Sequence, residues 1–69
     1  METKDYRLTP REMEVLAAIL EGRSSREVAQ HLGISKRTVD YHLESIYRKL
    51  GAGNRIQAIR EASRRGLLS

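Results

Sequence analysis

SKRTVDYHLESIYRKL, residues 35–50, is the stretch whose reading decides the fold. Val39, His42, Leu43, Ile46 and Leu50 recur at spacings of three and four, which is one apolar stripe of a 3.6-residue helix. The remaining face is polar: Lys36, Arg37, Asp40, Tyr41, Glu44 and Arg48. Ser35 stands at the N-cap, where its hydroxyl can accept from the amide of Arg37 or Thr38. Gly51 stands where a left-handed C-cap belongs. A capped helix of this length has the right shape for a DNA major groove. Whether it has that use depends on the rest of the chain.

Upstream of this helix, Gly33-Ile34-Ser35 is a three-residue corner in which Gly33 supplies a positive φ and Ile34 drops into the core. A short helix precedes the corner. Ser24-Ser25-Arg26-Glu27 pairs a hydroxyl cap with a glutamate three residues on, and Val28, Ala29 and Leu32 supply its apolar side. Further back, Thr9-Pro10-Arg11-Glu12 opens another helix with a cap, a proline at the first helical position and a capping-box glutamate. Its stripe is Val15, Leu16, Ile19 and Leu20, with Met13 beside it, and Gly22 ends it. Downstream, Gly51-Ala52-Gly53 is a flexible corner and Asn54 caps a fourth helix, with Gln57 at the capping-box position. Ala58, Ile59 and Ala62 form its stripe, Ile56 flanks it, and Leu67 and Leu68 fold back after Gly66 as a hydrophobic closure. Residues 1–7 are polar and aperiodic, a flexible lead-in to a single domain over residues 8–69. No strand pattern occurs, so the expected fold is all-α with four helices.

Composition narrows the function classes. A chain of 69 residues buries only a modest core, and without cysteine it has no disulfide to add stability. No apolar run is long enough to span a bilayer and no secretory pattern opens the chain, so a cytoplasmic protein with no membrane partner is expected. The formal net charge of +4 fits an anionic partner. Three tyrosines and no Phe or Trp disfavour a single-strand stacking platform. His31 and His42 lack a third ligand, so no metal is expected, and no cofactor or small-molecule ligand either. Serine, histidine and acidic residues fall on capping and solvated positions, which argues against an enzyme.

A short helix, a glycine-containing corner and a longer helix make a helix-turn-helix, in which the second helix enters the major groove by its N-terminal half. The residues go further. Leu8-Thr9-Pro10-Arg11-Glu12, Glu14-Val15-Leu16, Glu27-Val28-Ala29, Leu32-Gly33-Ile34-Ser35, Thr38-Val39, His42, Lys49-Leu50-Gly51, Asn54-Arg55 and Ala58 resemble the LuxR-type (GerE-like) helix-turn-helix domain, in order and in register over residues 8–68. Region four of sigma factors has a similar first half, but His42 and the extension from Asn54 to Leu68 favour the LuxR type. The resemblance implies a DNA-binding domain of a bacterial transcription regulator. It also implies a dimer, often formed through the fourth helix, on a two-fold-related site.

Candidate roles follow. Ser35, Lys36 and Thr38 lie in the first turn, where free amides favour phosphate, and family members commonly contact the backbone there. Their alternative is capping and solvation. Ser25 and Arg26 open the preceding helix and are phosphate candidates in the same way. Arg48 and Lys49 complement the dipole at the far end of the central helix and are further phosphate candidates. The resemblance makes Asp40, Tyr41 and Glu44 base readers, although many members carry Lys or Arg at the first or last of these. Arg37 can be bidentate to guanine, and an acid can accept from the cytosine amino group. Alternatively Lys36, Asp40, Glu44 and Arg48, four apart, form a chain of salt bridges. His42 reads as a buried or half-buried histidine hydrogen-bonded to backbone. On the fourth helix Gln57, Arg60, Glu61 and Arg64 form either a small dimer surface or a solvated face.

These residues point to a sequence-specific regulator that binds double-stranded DNA as a weak homodimer on an inverted repeat. It would be either a small stand-alone protein or the C-terminal output domain of a response regulator or other larger regulator. RNA polymerase is a candidate partner. The reading from another class is a protein-interaction module, whose acids at Asp40 and Glu44 pair with another regulator or with polymerase.

Overall fold

Four helices run in the expected order: α1 (Pro10–Leu20), α2 (Ser25–Leu32), α3 (Lys36–Leu50) and α4 (Arg55–Arg64). The structure, a computed structural model, describes residues 7–67, and among these there is no strand. The lead-in, apart from Arg7, and Leu68 of the expected closure lie outside the described residues. No helix among them is long and apolar enough to cross a membrane.

Each helix starts where its cap stands. The Thr9 hydroxyl accepts from the Glu12 amide at 3.1 Å and the Glu12 carboxylate accepts from the Thr9 amide at 2.9 Å. Ser24 and Glu27 repeat this reciprocal box at 3.2 and 2.8 Å. Two orphan amides per helix are thereby satisfied. Ser35 caps α3 through the Thr38 amide at 3.0 Å, and Asn54 caps α4 through the Gln57 amide at 2.9 Å. The box expected on α4 differs from expectation. Gln57 reaches one residue further back and accepts from the Gly53 amide at 2.6 Å, not from Asn54.

α3 is the centre of the molecule, in contact with α1, α2 and α4. Val39, Leu43, Ile46 and Leu50 of α3 are buried against Val15, Leu16 and Ile19 of α1, Val28 and Ala29 of α2, and Ala58 and Ala62 of α4. Burying one such aliphatic side chain contributes about 1.5–3 kcal/mol, and this stripe fixes which face of α3 is left outside. Leu8, Ile34, Tyr47, Ile59 and Leu67 pack on the margin of the core. Leu20 of the expected α1 stripe is only half-buried, and Ala18 takes a buried place instead.

Candidate nucleic-acid interface

The α2–α3 corner sets the presentation of the interface. Gly33 closes α2 at φ 70° and ψ 33°, a left-handed conformation that a side chain disfavours. The chain then reverses, the Ile34 amide donates to the Ala29 carbonyl at 3.0 Å, and Ser35 opens α3. With its aliphatic stripe in the core, α3 turns Arg37, Tyr41, Glu44 and Arg48 outward, and all four are exposed. Tyr41 is 69 % exposed, which is unusual for an aromatic ring with nothing to cover.

A buried carboxylate holds the other side of α3. Glu12 is only 4 % exposed, yet it carries more than its capping duty. Ser45 Oγ donates to its Oε2 at 2.6 Å, and Lys49 Nζ to its Oε1 at 2.8 Å. Burial pushes the Glu12 carboxyl up, but the bonds from Lys49, Ser45 and the Thr9 amide, with the Lys49 charge, bring it down to about 2. One side chain therefore caps α1 and pins two points of α3, one helical turn apart, to it. Lys49 also donates to the Arg7 carbonyl at 3.4 Å. Its ammonium faces α1, so the expected phosphate contact competes with Glu12.

On the opposite flank, next to α2, Lys36 Nζ meets Asp40 Oδ2 at 2.8 Å. The bonded Lys36 ammonium, with a smaller contribution from the Ser25 hydroxyl of α2, holds the Asp40 carboxyl below the usual range. The four-member chain of salt bridges, the alternative to base reading, stops there. Among the described residues Glu44 and Arg48 have no ion-pair partner, so only the first link forms. Ser35 and Thr38 share a hydroxyl–hydroxyl bond of 2.9 Å at the amide end of α3. Ser25 and Arg26 occupy the matching end of α2, with Arg26 exposed. His42 is half-buried as expected, but its ring packs edge-on against Tyr41, with centroids 6.1 Å apart, and no backbone bond to it is formed among the described residues.

The four α4 candidates lie at spacings of three and four on one face of the helix, and three of them are engaged within the chain. Glu61 is bonded by Arg64 of its own helix and, at 2.8 Å, by Arg65 at the C-cap, and the two guanidiniums hold its carboxyl at about 2. Gln57 is engaged with Gly53. That leaves Arg60 without a partner among the described residues, and beside it Ile56, 67 % exposed.

The residues that sequence reasoning missed are those acting between helices. Ser45 and the second role of Glu12 are two, and Arg55 is a third: its Nη1 donates to the Arg23 carbonyl at 3.4 Å, tying the start of α4 to the α1–α2 corner. A glutamate, a serine and a lysine far apart in the chain carry no local signal of meeting. No group of three or more His, Cys, Asp or Glu among the described residues could hold a metal ion.

Comparison with known proteins places this geometry. The chain matches the model of the bacterial regulatory proteins of the luxR family (GerE) over residues 6–62. It is 43 % identical to the transcriptional regulatory protein YdfI of Bacillus subtilis (strain 168) over 68 residues, 99 % of this chain and 32 % of YdfI. The crystal structure of ChrA, a response regulator in a heme-sensing two-component system, superposes with a TM-score of 0.90 at 40 % identity, over 97 % of this chain and 33 % of ChrA. The transcription factor GerE superposes with a TM-score of 0.85 at 36 % identity, over 96 % of this chain and 97 % of GerE. The chain spans only 7 % to 32 % of the length of curated relatives such as these.

Proposed function

Since the chain belongs to the LuxR family of bacterial regulatory proteins and carries its helix-turn-helix DNA-binding domain, we propose that α3 enters the major groove of double-stranded DNA and reads an inverted repeat as one half of a dimer. The observation that carries this reading is the composition of the outer face of α3. Arg37, Tyr41, Glu44 and Arg48 stand exposed together on a helix whose other face is locked into the core. Base readers and phosphate contacts then divide along the interface. Arg37, Tyr41 and Glu44 meet base edges. Ser25, Arg26, Ser35, Thr38 and Arg48, at the amide ends of α2 and α3 and on the far outer face, meet the backbone, with Lys36 beside them paired to Asp40.

The dimer is weak and forms on the DNA. With Glu61 and Gln57 satisfied inside their own protomer, α4 offers little beyond Ile56 and Arg60 for a partner copy. The regulator works in the bacterial cytoplasm, at promoters where RNA polymerase is its neighbour. The same domain serves as a stand-alone regulator of GerE's length or as the output domain of a longer chain such as ChrA.

The test is selection from a pool of randomised duplexes, with the bound fraction sequenced. An inverted repeat is the expected product, retained better than an isolated half-site. If no duplex is retained even at low salt, α3 does not read DNA by itself, and an interaction module that pairs with another protein replaces this reading.

A further inference from the structure

The two carboxylates of α3 stand in different environments. Asp40 and Lys36 are joined at 2.8 Å on the flank of α3 that packs beside α2. Glu44 is one turn further on and, at 3.6 residues per turn, about 40° nearer the centre of the outer face, between Arg37 and Arg48. Glu44 is exposed and has no hydrogen-bond or ion-pair partner among the described residues. Asp40 therefore already accepts from Lys36 through Oδ2, and Glu44 is an acceptor aimed outward and vacant.

We propose that Glu44 is the base-reading carboxylate, accepting from a cytosine amino group, and that Asp40 is a positioning residue that fixes the Lys36 ammonium and does not read sequence. The inference rests on the DNA-reading function proposed above and divides the labour within it. A carboxylate can only accept, so in the major groove it needs a base donor: cytosine N4 or adenine N6. The adenine amino group lies beside N7, an acceptor that repels a carboxylate. The cytosine amino group lies beside C5–H, which does not. Cytosine is thus the base that an unpaired glutamate selects. Asp40 contributes differently. Its pairing neutralises Lys36, so the pair enters the groove as a dipole fixed in direction. An ammonium that stays paired with its own acid also neutralises less of the phosphate charge than a free one.

The same duplex selection, run with the 69-residue chain and with Glu44→Gln, Glu44→Ala and Asp40→Asn, separates the roles. All three variants change exposed positions, and the helical circular dichroism of each is checked before use. The wild type is expected to show one cytosine per half-site that both Glu44 variants lose, with the preference over other bases falling at least about fivefold. Asp40→Asn is expected to leave the base preferences unchanged. It also frees Lys36 for a phosphate, so the slope of log affinity against log salt steepens by about 0.9. A merely structural Asp40 would move neither the slope nor the preferences. Base preferences that shift with Asp40→Asn, or persist in both Glu44 variants, overturn the inference while DNA reading stands. A wild type that retains no duplex overturns both.

Discussion

Glu12 is the one buried charged residue among the described residues, and the fold depends on it. Its carboxylate is buried, accepts from an amide, a hydroxyl and an ammonium, and ties α3 to α1. Glu12→Gln keeps the shape but removes the charge that Lys49 and Ser45 bind. Breaking a buried pair costs up to several kcal/mol, but Lys49 is 24 % exposed and can turn to water. The expected loss is therefore about 2 kcal/mol. The group is more acidic folded, at about 2, than its ordinary 4.5, so its ionisation stabilises the native state. That stability is complete above the ordinary value and is lost as pH falls from about 4.5 towards 2. Thermal melts of wild type and Glu12→Gln are expected to lie well apart at neutral pH and to converge near pH 2. A constant gap across that range would mean that the carboxylate's ionisation is not what stabilises the pair of helices.

At the scale of the element, the caps and corners are legible in the sequence, because each is a contact over three or four residues. Thr9 with Glu12, Ser24 with Glu27, and Ser35 with Thr38 fall within one helical turn, where spacing alone fixes geometry. Two further local readings fail for reasons of energy and reach. A Glu44–Arg48 link at the right spacing is worth only a few tenths of a kcal/mol in water, so spacing permits it without enforcing it. The Gln57 side chain is long enough to reach past Asn54, and Gly53, with no side chain of its own, leaves its amide open to it. The Gly33 corner tests the local logic. A Cβ at Gly33 would meet nothing within 4 Å, so Gly33→Ala costs only the strain of a left-handed alanine, about 1 kcal/mol. For a domain of this size, melting is expected to fall by about 4–8 °C. Gly33→Asn is expected to lose less, since asparagine tolerates that conformation. Equal losses for the two would point to a steric cause that the open space around Gly33 contradicts.

At the scale of the whole molecule, what matters is how the net charge of +4 is placed. The sequence announces cations on α2 and α3 but not which of them are already spoken for. Pairing across 37 residues, as between Glu12 and Lys49, exists only once the helices pack. Arg26, Arg37 and Arg48 have no acidic partner among the described residues, whereas Lys36 and Lys49 are held at 2.8 Å by Asp40 and Glu12. Each phosphate neutralised contributes about −0.9 to the slope of log affinity against log salt, so with Arg37 on a base edge the two guanidiniums on the backbone, Arg26 and Arg48, predict a slope of about −2 per protomer. Moving Lys49 to a phosphate would strand a buried carboxylate, a cost that one surface phosphate contact does not offset. Lys49→Gln is therefore expected to lower the melting temperature and leave the slope unchanged. Arg48→Gln is expected to flatten the slope by about one phosphate's share and leave melting unchanged. Salt titrations on one duplex, with melts of the same samples, measure both. The reverse pattern would place Lys49 on the DNA and make Glu12 a latch that binding opens.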